Sequence, residues 1–318
     1  MVIDIHNHHW SKDSVPEKFW QGLANRVATV RTEREGIVTT PEDVRKNLFN
    51  AFEDPTGEIL LQEMDEAGIS VTVLLALDLG LGMGEPPVSI WEQNRSLAEL
   101  CRRHPQRLIP FVGIDPRRKD AAKLLETGIK EWGMRGVKFH PGGGWYPNDR
   151  AYYPVYEKAA ELRVPVLFHT GTQLPPFRSI YSQPIYLDDI TVDFPELTVI
   201  AAHMGVGWWR ELASMIEKKN NLFADLSGWQ VYAMRNFHNF CRTLREILDL
   251  VGPAALLFGT DGPTFRLYTF NNQKWVKTIR ELPRNAPPGI AFSQEEAEMI
   301  LWKNAQKILD VHPEKPNE

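Results

Sequence analysis

The sequence has very little cysteine, with only Cys101 and Cys241 among 318 residues. These two positions lack the close Cys-x-x-Cys spacing that a thiolate metal site or a redox pair would need. The scarcity excludes a disulfide framework and predicts free, buried thiols, which are typical of a protein in a reducing compartment. We therefore expect a cytoplasmic protein whose chemistry does not depend on cysteine.

Long apolar runs, an excess of one charge and low-complexity segments are also missing. No apolar stretch approaches the roughly 18 residues of a membrane-spanning helix, and residues 2–6 form a strand-like segment with no signal-peptide pattern before it. The formal net charge of −5 provides no broad basic surface. We therefore expect neither a membrane nor nucleic acid as a partner.

A recurring unit is present instead, in which a short run rich in Val, Ile, Leu and Phe precedes a longer segment with helical spacing. The apolar runs are nearly continuous, as in residues 164–168 and 197–202, which is typical of parallel strands covered on both faces. The predicted strands lie at about residues 2–6, 69–76, 108–114, 135–140, 164–169, 197–203, 222–226 and 256–260. Eight strands of this kind predict an α/β fold, the (β/α)8 or TIM barrel.

Helices are predicted between these strands, and a long insertion follows the first strand. The helices lie at about residues 57–67, 89–103, 118–131, 152–162, 208–219, 235–250 and 293–310. The last begins with Ser293 and Glu296, which have the spacing of a capping box. Residues 10–54 are too long for an ordinary connection and contain helix-like pieces at 16–28 and 41–52. We expect this insertion to form a lid within a single domain that spans residues 1–318.

Polar side chains follow the predicted strands at their carboxyl ends, where TIM barrels place their active sites. They are His6 and His8 at the end of strand one, Lys138 and His140 at the end of strand four, then His169, His203, Asp225 and Asp261 at the ends of strands five to eight. Because alternate side chains of a strand share a face, His6 and His8 can hold one ion together. Imidazole and carboxylate ligands without thiolate favour zinc, with manganese, iron or cobalt as alternatives.

Five motifs, in the order in which the family has them, resemble the amidohydrolase-related (amidohydrolase 2) branch of the amidohydrolase superfamily. This branch includes aminocarboxymuconate semialdehyde decarboxylase. The motifs are Ile3-Asp-Ile-His-Asn-His8, Gly136-Val-Lys-Phe-His-Pro141, Pro165-Val-Leu-Phe-His-Thr-Gly171, Ala202-His-Met-Gly205 and Leu257-Phe-Gly-Thr-Asp-Gly-Pro263. The resemblance implies one divalent metal bound by His6, His8, His169 and Asp261. It further implies that His203 is the catalytic histidine beside the metal. A carboxylate such as Asp261 can also take part in catalysis, by orienting a metal-bound water or accepting its proton.

Other residues are expected to contact the substrate. Trp10 is one of several aromatic residues in the loops that can wall a pocket for a planar ring, and His140 begins a glycine-rich loop. Arg178 and Arg266 follow strands five and eight and are candidates for pairing with a substrate carboxylate. Lys138 is ambiguous, because a strand-four lysine is carboxylated and bridges two metals in other branches of the superfamily. We favour one metal with Lys138 near the substrate.

The resemblance implies non-oxidative decarboxylation, a carbon–carbon lyase reaction, of a small carboxylated cyclic or unsaturated acid. Hydrolysis of a lactone, amide or ester by metal-bound hydroxide needs the same centre and stays open as an alternative. A catalytically silent barrel that only binds a ligand is a third hypothesis, because a fold alone does not determine function. The predicted partner is a small-molecule carboxylate, while the substrate's identity and a homodimeric assembly are left open.

Overall fold

A computed structural model of the protein describes residues 1–267 and 270–311, and its centre is a sheet of eight parallel strands. The strands are β1 Ile3–His8, β2 Val71–Leu75, β3 Leu108–Gly113, β4 Val137–Phe139, β5 Val166–Phe168, β6 Val199–Ala201, β7 Leu222–Asp225 and β8 Leu256–Leu257. They pair in chain order, and the Ile5 backbone N–H donates to the Phe258 carbonyl at 2.9 Å. The predicted TIM barrel is therefore confirmed as a nearly closed barrel.

The strands are covered on both faces, as their nearly continuous hydrophobicity predicts. In β5, Leu167 belongs to an inner cluster with residues of β1, β2 and β3, whereas Val166 and Phe168 belong to the cluster between the barrel and its helices. All three side chains are fully buried. This two-sided burial leaves the carboxyl ends of the strands as the place where polar side chains collect.

Helices surround the barrel and occupy the insertion. The α-helices are α1 Glu17–Arg34, α2 Pro41–Asp43, α3 Glu58–Ala67, α4 Gly80–Met83, α5 Ile90–Arg103, α6 Ala121–Lys130, α7 Tyr153–Glu161, α8 Leu187–Asp193, α9 Trp209–Ile216, α10 Gln230–Arg235, α11 Phe237–Val251, α12 Asn272–Arg280, α13 Leu282–Asn285, α14 Gln294–Glu298 and α15 Asn304–Leu309. A π-helical turn, Met299–Lys303, joins α14 to α15, and the predicted capping box of Ser293 and Glu296 is present. Across the described ranges, no helix combines the length and hydrophobicity needed to cross a bilayer.

The insertion of residues 10–54 contains α1 and α2, followed by a π-helical turn Val44–Leu48 and a 3₁₀ turn Phe49–Phe52. Trp20, Leu23 and Val27 on one face of α1 are buried in a cluster with Phe52 and with Leu77, which follows β2. This segment therefore packs its apolar face against a loop at the carboxyl end of the barrel. The role of this segment as a lid stays a prediction. The prediction of a single domain over residues 1–318 also stays untested, and residues 312–318 lie outside the described ones.

Candidate metal centre

The His6 and His8 rings direct their Nε2 atoms towards a common point at the carboxyl end of β1. Their Nε2 atoms are 3.3 Å apart. His6 Nδ1 lies 2.9 Å from Asp225 Oδ2, and His8 Nδ1 lies 3.0 Å from the Leu75 carbonyl oxygen. Because a carboxylate and a carbonyl only accept hydrogen bonds, Nδ1 carries the proton in both rings. Each Nε2 therefore presents a lone pair, and a cation between them would offset their repulsion.

The Asp261 carboxylate completes this group. Its Oδ1 atom lies 3.7 Å from His6 Nε2 and 3.6 Å from His8 Nε2. Ligand atoms bonded at about 2.1 Å to a tetrahedral ion lie about 3.4 Å from one another, so the three atoms have suitable spacing for one divalent metal. Burial lowers the pKa of His6 to about 3. Burial alone would raise the pKa of Asp261, but the charge of the nearby histidines lowers it to about 2. Both groups are thus in the deprotonated form that a ligand needs.

Asp261 and His203 both have left-handed backbone conformations, with φ of 54° and 59°. Such conformations cost non-glycine residues about 1–3 kcal/mol and are concentrated at functional sites. The Asp261 N–H donates to the His6 carbonyl at 2.8 Å, and the His203 N–H donates to Asp225 Oδ1 at 3.1 Å. These bonds hold the two backbones in place. The turn in which Asp261 lies is therefore what directs its carboxylate towards His6 and His8.

His203 and His169 lie beside the same centre. His203, His6 and Asp261 each offer a ligand atom, and these atoms lie within 4.8 Å of one another. His203 Nδ1 donates to the Ser227 carbonyl at 3.1 Å, which leaves Nε2 to accept from His169 Nδ1 at 3.2 Å. This pairing leaves a lone pair on His169 Nε2, a buried atom with no hydrogen-bond partner among the described residues. An unpartnered nitrogen of this kind fits the predicted role of His169 as a metal ligand.

Asp225 is the main residue of this site to which the sequence analysis assigned no role. Its carboxylate is fully buried and accepts from His6 Nδ1, from the His203 N–H and from the Ser227 N–H. Burial alone would raise the pKa of this carboxyl, but the adjacent His6 lowers it below its ordinary value. Asp225 thereby orients the two histidines. Its position at the end of β7 was the available sequence signal.

Lys138 contacts the candidate metal centre through His6 and does not line the cavity that opens over this centre. Its side chain is 1% exposed, and Nζ lies 3.2 Å from His6 Nε2. Burial lowers the pKa of this amine to about 7. The structure therefore brings Lys138 to His6, and its contact with substrate stays a prediction.

A cavity of about 270 Å³ opens over the centre and is lined by His8, His140, His169, His203 and Asp261 at one end. Trp10 stacks on His8 with ring centres 5.1 Å apart, and His140 stacks on His169 at 4.2 Å. Both therefore lie where substrate contact was predicted. Most other lining residues are apolar, among them Phe19, Leu23, Val30, Leu77, Phe177, Val206, Val231, Met234 and Phe265. For scale, an apolar cavity of about 150 Å³ holds benzene.

The two arginines predicted to bind a carboxylate are not brought to this cavity. Arg178 is exposed and outside the lining. Arg266 Nε pairs with Glu63 Oε1 at 2.8 Å, and its guanidinium faces a neighbouring cavity. Their substrate role stays a prediction that this geometry does not favour. Arg26 of α1 lines the cavity instead, and no sequence motif distinguished it from the other polar residues of that helix.

A family model described as amidohydrolase matches residues 3–311. A gamma-resorcylate decarboxylase of Rhizobium radiobacter is 26% identical over 292 residues, which cover 76% of this chain and 86% of the relative. A 2-keto-4-carboxy-3-hexenedioate hydratase of Sphingobium sp. is 30% identical over 167 residues, which cover 43% of this chain and 46% of the relative. The chain spans about half or less of the first two curated relatives that it matches, namely 19% and 46% of their lengths.

Solved structures share the fold. An uncharacterized TIM-barrel protein from Bordetella bronchiseptica is 22% identical with a TM-score of 0.67, and the match covers 97% of this chain and 98% of that one. A 5-carboxyvanillate decarboxylase from Novosphingobium aromaticivorans, complexed with manganese and 4-hydroxy-3-methoxy-5-nitrobenzoic acid, is 16% identical with a TM-score of 0.66 and coverage of 98% and 96%. At these identities the matches establish the barrel alone.

Proposed function

The chain belongs to the amidohydrolase family, and from that membership we propose that it is a metal-dependent decarboxylase of a small carboxylated cyclic or unsaturated acid. The observation that carries this proposal is the arrangement of His6 Nε2, His8 Nε2 and Asp261 Oδ1, three deprotonated ligand atoms 3.3–3.7 Å apart. Of these three residues, His8 and Asp261 line one end of a cavity with mostly apolar walls. The decarboxylase names of the relatives from Rhizobium and Novosphingobium support the reaction class.

The metal is proposed to be a single divalent ion held by His6, His8, His169 and Asp261. Imidazole and carboxylate ligands suit zinc and also manganese, and the Novosphingobium structure contains manganese. When bound, such an ion neutralises and polarises an oxygen of the substrate. Elemental analysis distinguishes zinc from manganese, iron and cobalt.

His203 and Asp261 are the residues proposed to act on the substrate. Decarboxylation breaks the bond between the carboxyl carbon and its neighbour, CO₂ leaves, and the neighbouring carbon keeps the electron pair and takes up one proton. His203 lines the cavity with Asp261, and because its Nδ1–H is held by the Ser227 carbonyl, Nε2 is the atom proposed to carry and deliver that proton. Trp10 and His140 line the cavity and are the residues proposed to contact the body of a planar acid.

A second candidate is hydration or hydrolysis at the same centre, because the Sphingobium relative is named a hydratase. Both reactions would use the same ligands and the same proton carrier, so their products are what distinguish them. A catalytically silent barrel is disfavoured by the convergence of ligand atoms from His6, His203 and Asp261, because clusters of titratable groups of this kind are concentrated at functional sites. A cytoplasmic location and a homodimer stay predictions.

The test begins with metal analysis of wild type, His8→Ala and Lys138→Ala. We expect about one ion per chain, lost with His8→Ala and kept with Lys138→Ala. Two ions per chain, one of them lost with Lys138→Ala, would instead indicate a binuclear hydrolase with a carboxylated lysine. The metal-loaded enzyme is then incubated with hydroxylated aromatic and unsaturated acids while released CO₂ is trapped. Product formation without CO₂ would favour hydration or hydrolysis, and a protein that takes up no metal after reconstitution would contradict the proposal.

A further inference from the structure

Arg26 is the one lysine or arginine among the described residues that line the cavity, and Asp261 is the one carboxylate. Arg26 lies on α1, partly buried, and among the described residues it has no ion pair or hydrogen bond from its guanidinium. A partly desolvated guanidinium without an anion is costly, and an anionic group delivered by a ligand would compensate for this cost.

The distance between Arg26 and Phe19, which lies near the metal centre, follows from the geometry of α1. Phe19, Leu23, Arg26 and Val30 all line the cavity, and their spacing places them on one face of the helix. Phe19 lies at the metal end, because its ring is 5.2 Å from that of Trp10, which stacks on His8. At 1.5 Å per residue, the Cα of Arg26 lies about 10 Å further along the helix. Leu23 separates the two positions with an apolar surface.

We infer that the cavity has a second, distal subsite in which Arg26 binds an anionic group of the substrate. The substrate class is then an acid with two carboxylates: one at the metal centre, and a second held by the guanidinium beyond an apolar body. This inference rests on the proposed function for its metal end, and it names the substrate class more narrowly. The alternative is that the arginine stem merely covers apolar surface while its head is hydrated.

The test measures binding without requiring turnover. Octanedioate, octanoate and butanedioate are titrated calorimetrically into the metal-loaded protein. Octanedioate can place carboxylates at both ends of the cavity, octanoate lacks the second carboxylate, and butanedioate is too short to reach Arg26 from the centre. We expect octanedioate to bind about tenfold more tightly than either, as a charge-assisted hydrogen bond allows. If apolar burial alone determined the affinity, octanoate would bind more tightly than octanedioate, so the expected ranking distinguishes the two explanations.

Arg26→Gln should abolish the preference for octanedioate, and Arg26→Lys should keep part of it. Arg34→Gln is the matched control, because Arg34 is an exposed residue of the same helix outside this cavity; it should keep the full preference. Equal binding of octanedioate and octanoate by wild type, or a preference that survives Arg26→Gln, would overturn the inference. If the preference depends on Arg26 while no acid releases CO₂, the subsite is supported and the proposed reaction is rejected. If an acid releases CO₂ while the preference does not depend on Arg26, the proposed reaction is supported and the subsite is rejected.

Discussion

At the scale of single residues, the candidate centre depends on which ring nitrogen of each histidine carries a proton. The Asp225 carboxylate and the Leu75 carbonyl keep the protons of His6 and His8 on Nδ1, and the Ser227 carbonyl does the same for His203. These acceptors therefore determine where lone pairs are available for a metal. The histidines were evident from the strand ends, whereas their acceptors come from other strands and loops and could be identified only once the fold was known.

Asp225→Asn tests this control of protonation. The amide nitrogen of asparagine can donate to His6 Nδ1, which would move the ring proton to Nε2 and block the ligand atom. We expect the affinity for the metal to fall by about 10- to 100-fold, measured by competition with a chelator of known affinity. Asp120→Asn changes the same functional group where it accepts from Trp91 Nε1, outside the site, and should leave the affinity unchanged. Unaltered metal binding in Asp225→Asn would contradict the assignment.

His203→Asn separates proton transfer from metal binding. If His203 only carries the proton, the variant should keep its metal while kcat falls by about 10²- to 10⁴-fold, the range typical of general acid–base catalysis. Elemental analysis and CO₂ release are measured on the same preparation. Loss of the ion from this variant would identify His203 as a ligand and would revive the binuclear arrangement.

At the scale of secondary structure, the ends of β1 and β8 are joined by Asp4. Its carboxylate accepts from Thr260 Oγ1 at 2.6 Å, from the Thr260 N–H at 2.9 Å and from Asn7 Nδ2 at 3.2 Å. β8 has only two residues, Leu256–Leu257, so side-chain bonds supply the connection that a longer ladder would make. Asp261 follows Thr260 directly. The position of one proposed ligand therefore depends on this connection.

Asp4→Ala should reduce the free energy of unfolding by about 3 kcal/mol, because it leaves several buried donors without an acceptor. Urea unfolding monitors the stability, and the metal affinity should fall with it because Asp261 is displaced. Thr72→Val is a matched control: Thr72 pairs with Asp4 in the sheet register, and its buried hydroxyl has no hydrogen-bond partner among the described residues. A loss of stability in Thr72→Val equal to that in Asp4→Ala would indicate general sensitivity of the barrel wall.

The sequence predicted the elements of the barrel better than those of the loops. All eight strand regions are confirmed, because each is a compact apolar run that burial on both faces requires. Helices α4, α8, α10, α12 and α13 were not predicted, since segments of four to nine residues show little helical periodicity. Arg26 illustrates the same limit for the site. Helical periodicity marks the buried face of α1, but it does not reveal that a partly polar position faces a cavity formed by distant strands.

At the scale of the whole molecule, the centre couples metal binding to stability through several buried histidines. Burial lowers the pKa of His6 to about 3 and also lowers the pKa of His8, His140 and His169. In the unfolded chain these rings take up protons near pH 6.5, whereas in the folded protein they stay neutral. At these histidines the unfolded state therefore binds more protons below pH 6.5, so their burial destabilises the folded protein as the pH falls. Asp4 acts in the opposite direction between about pH 4 and pH 7, because burial raises the pKa of its carboxyl to about 7. The lowered pKa values of Asp225 and Asp261 add to the destabilisation by the histidines only below about pH 4.

We expect each histidine whose pKa burial lowers well below its ordinary value to cost the metal-free protein about 1 kcal/mol between pH 6 and pH 5, and Tm to fall in calorimetry over that range. His140→Gln should reduce the slope by one such increment, because it removes a buried imidazole that is not a proposed ligand. His238→Gln, at an exposed position, should leave the slope unchanged.

A divalent metal should raise Tm most at neutral pH, where every ligand is already deprotonated, and progressively less in acid. A Tm of the metal-free protein that stays constant from pH 7 to pH 5 would mean that the rings protonate within the folded barrel, and the lone pairs assigned to the metal would then be absent in mild acid.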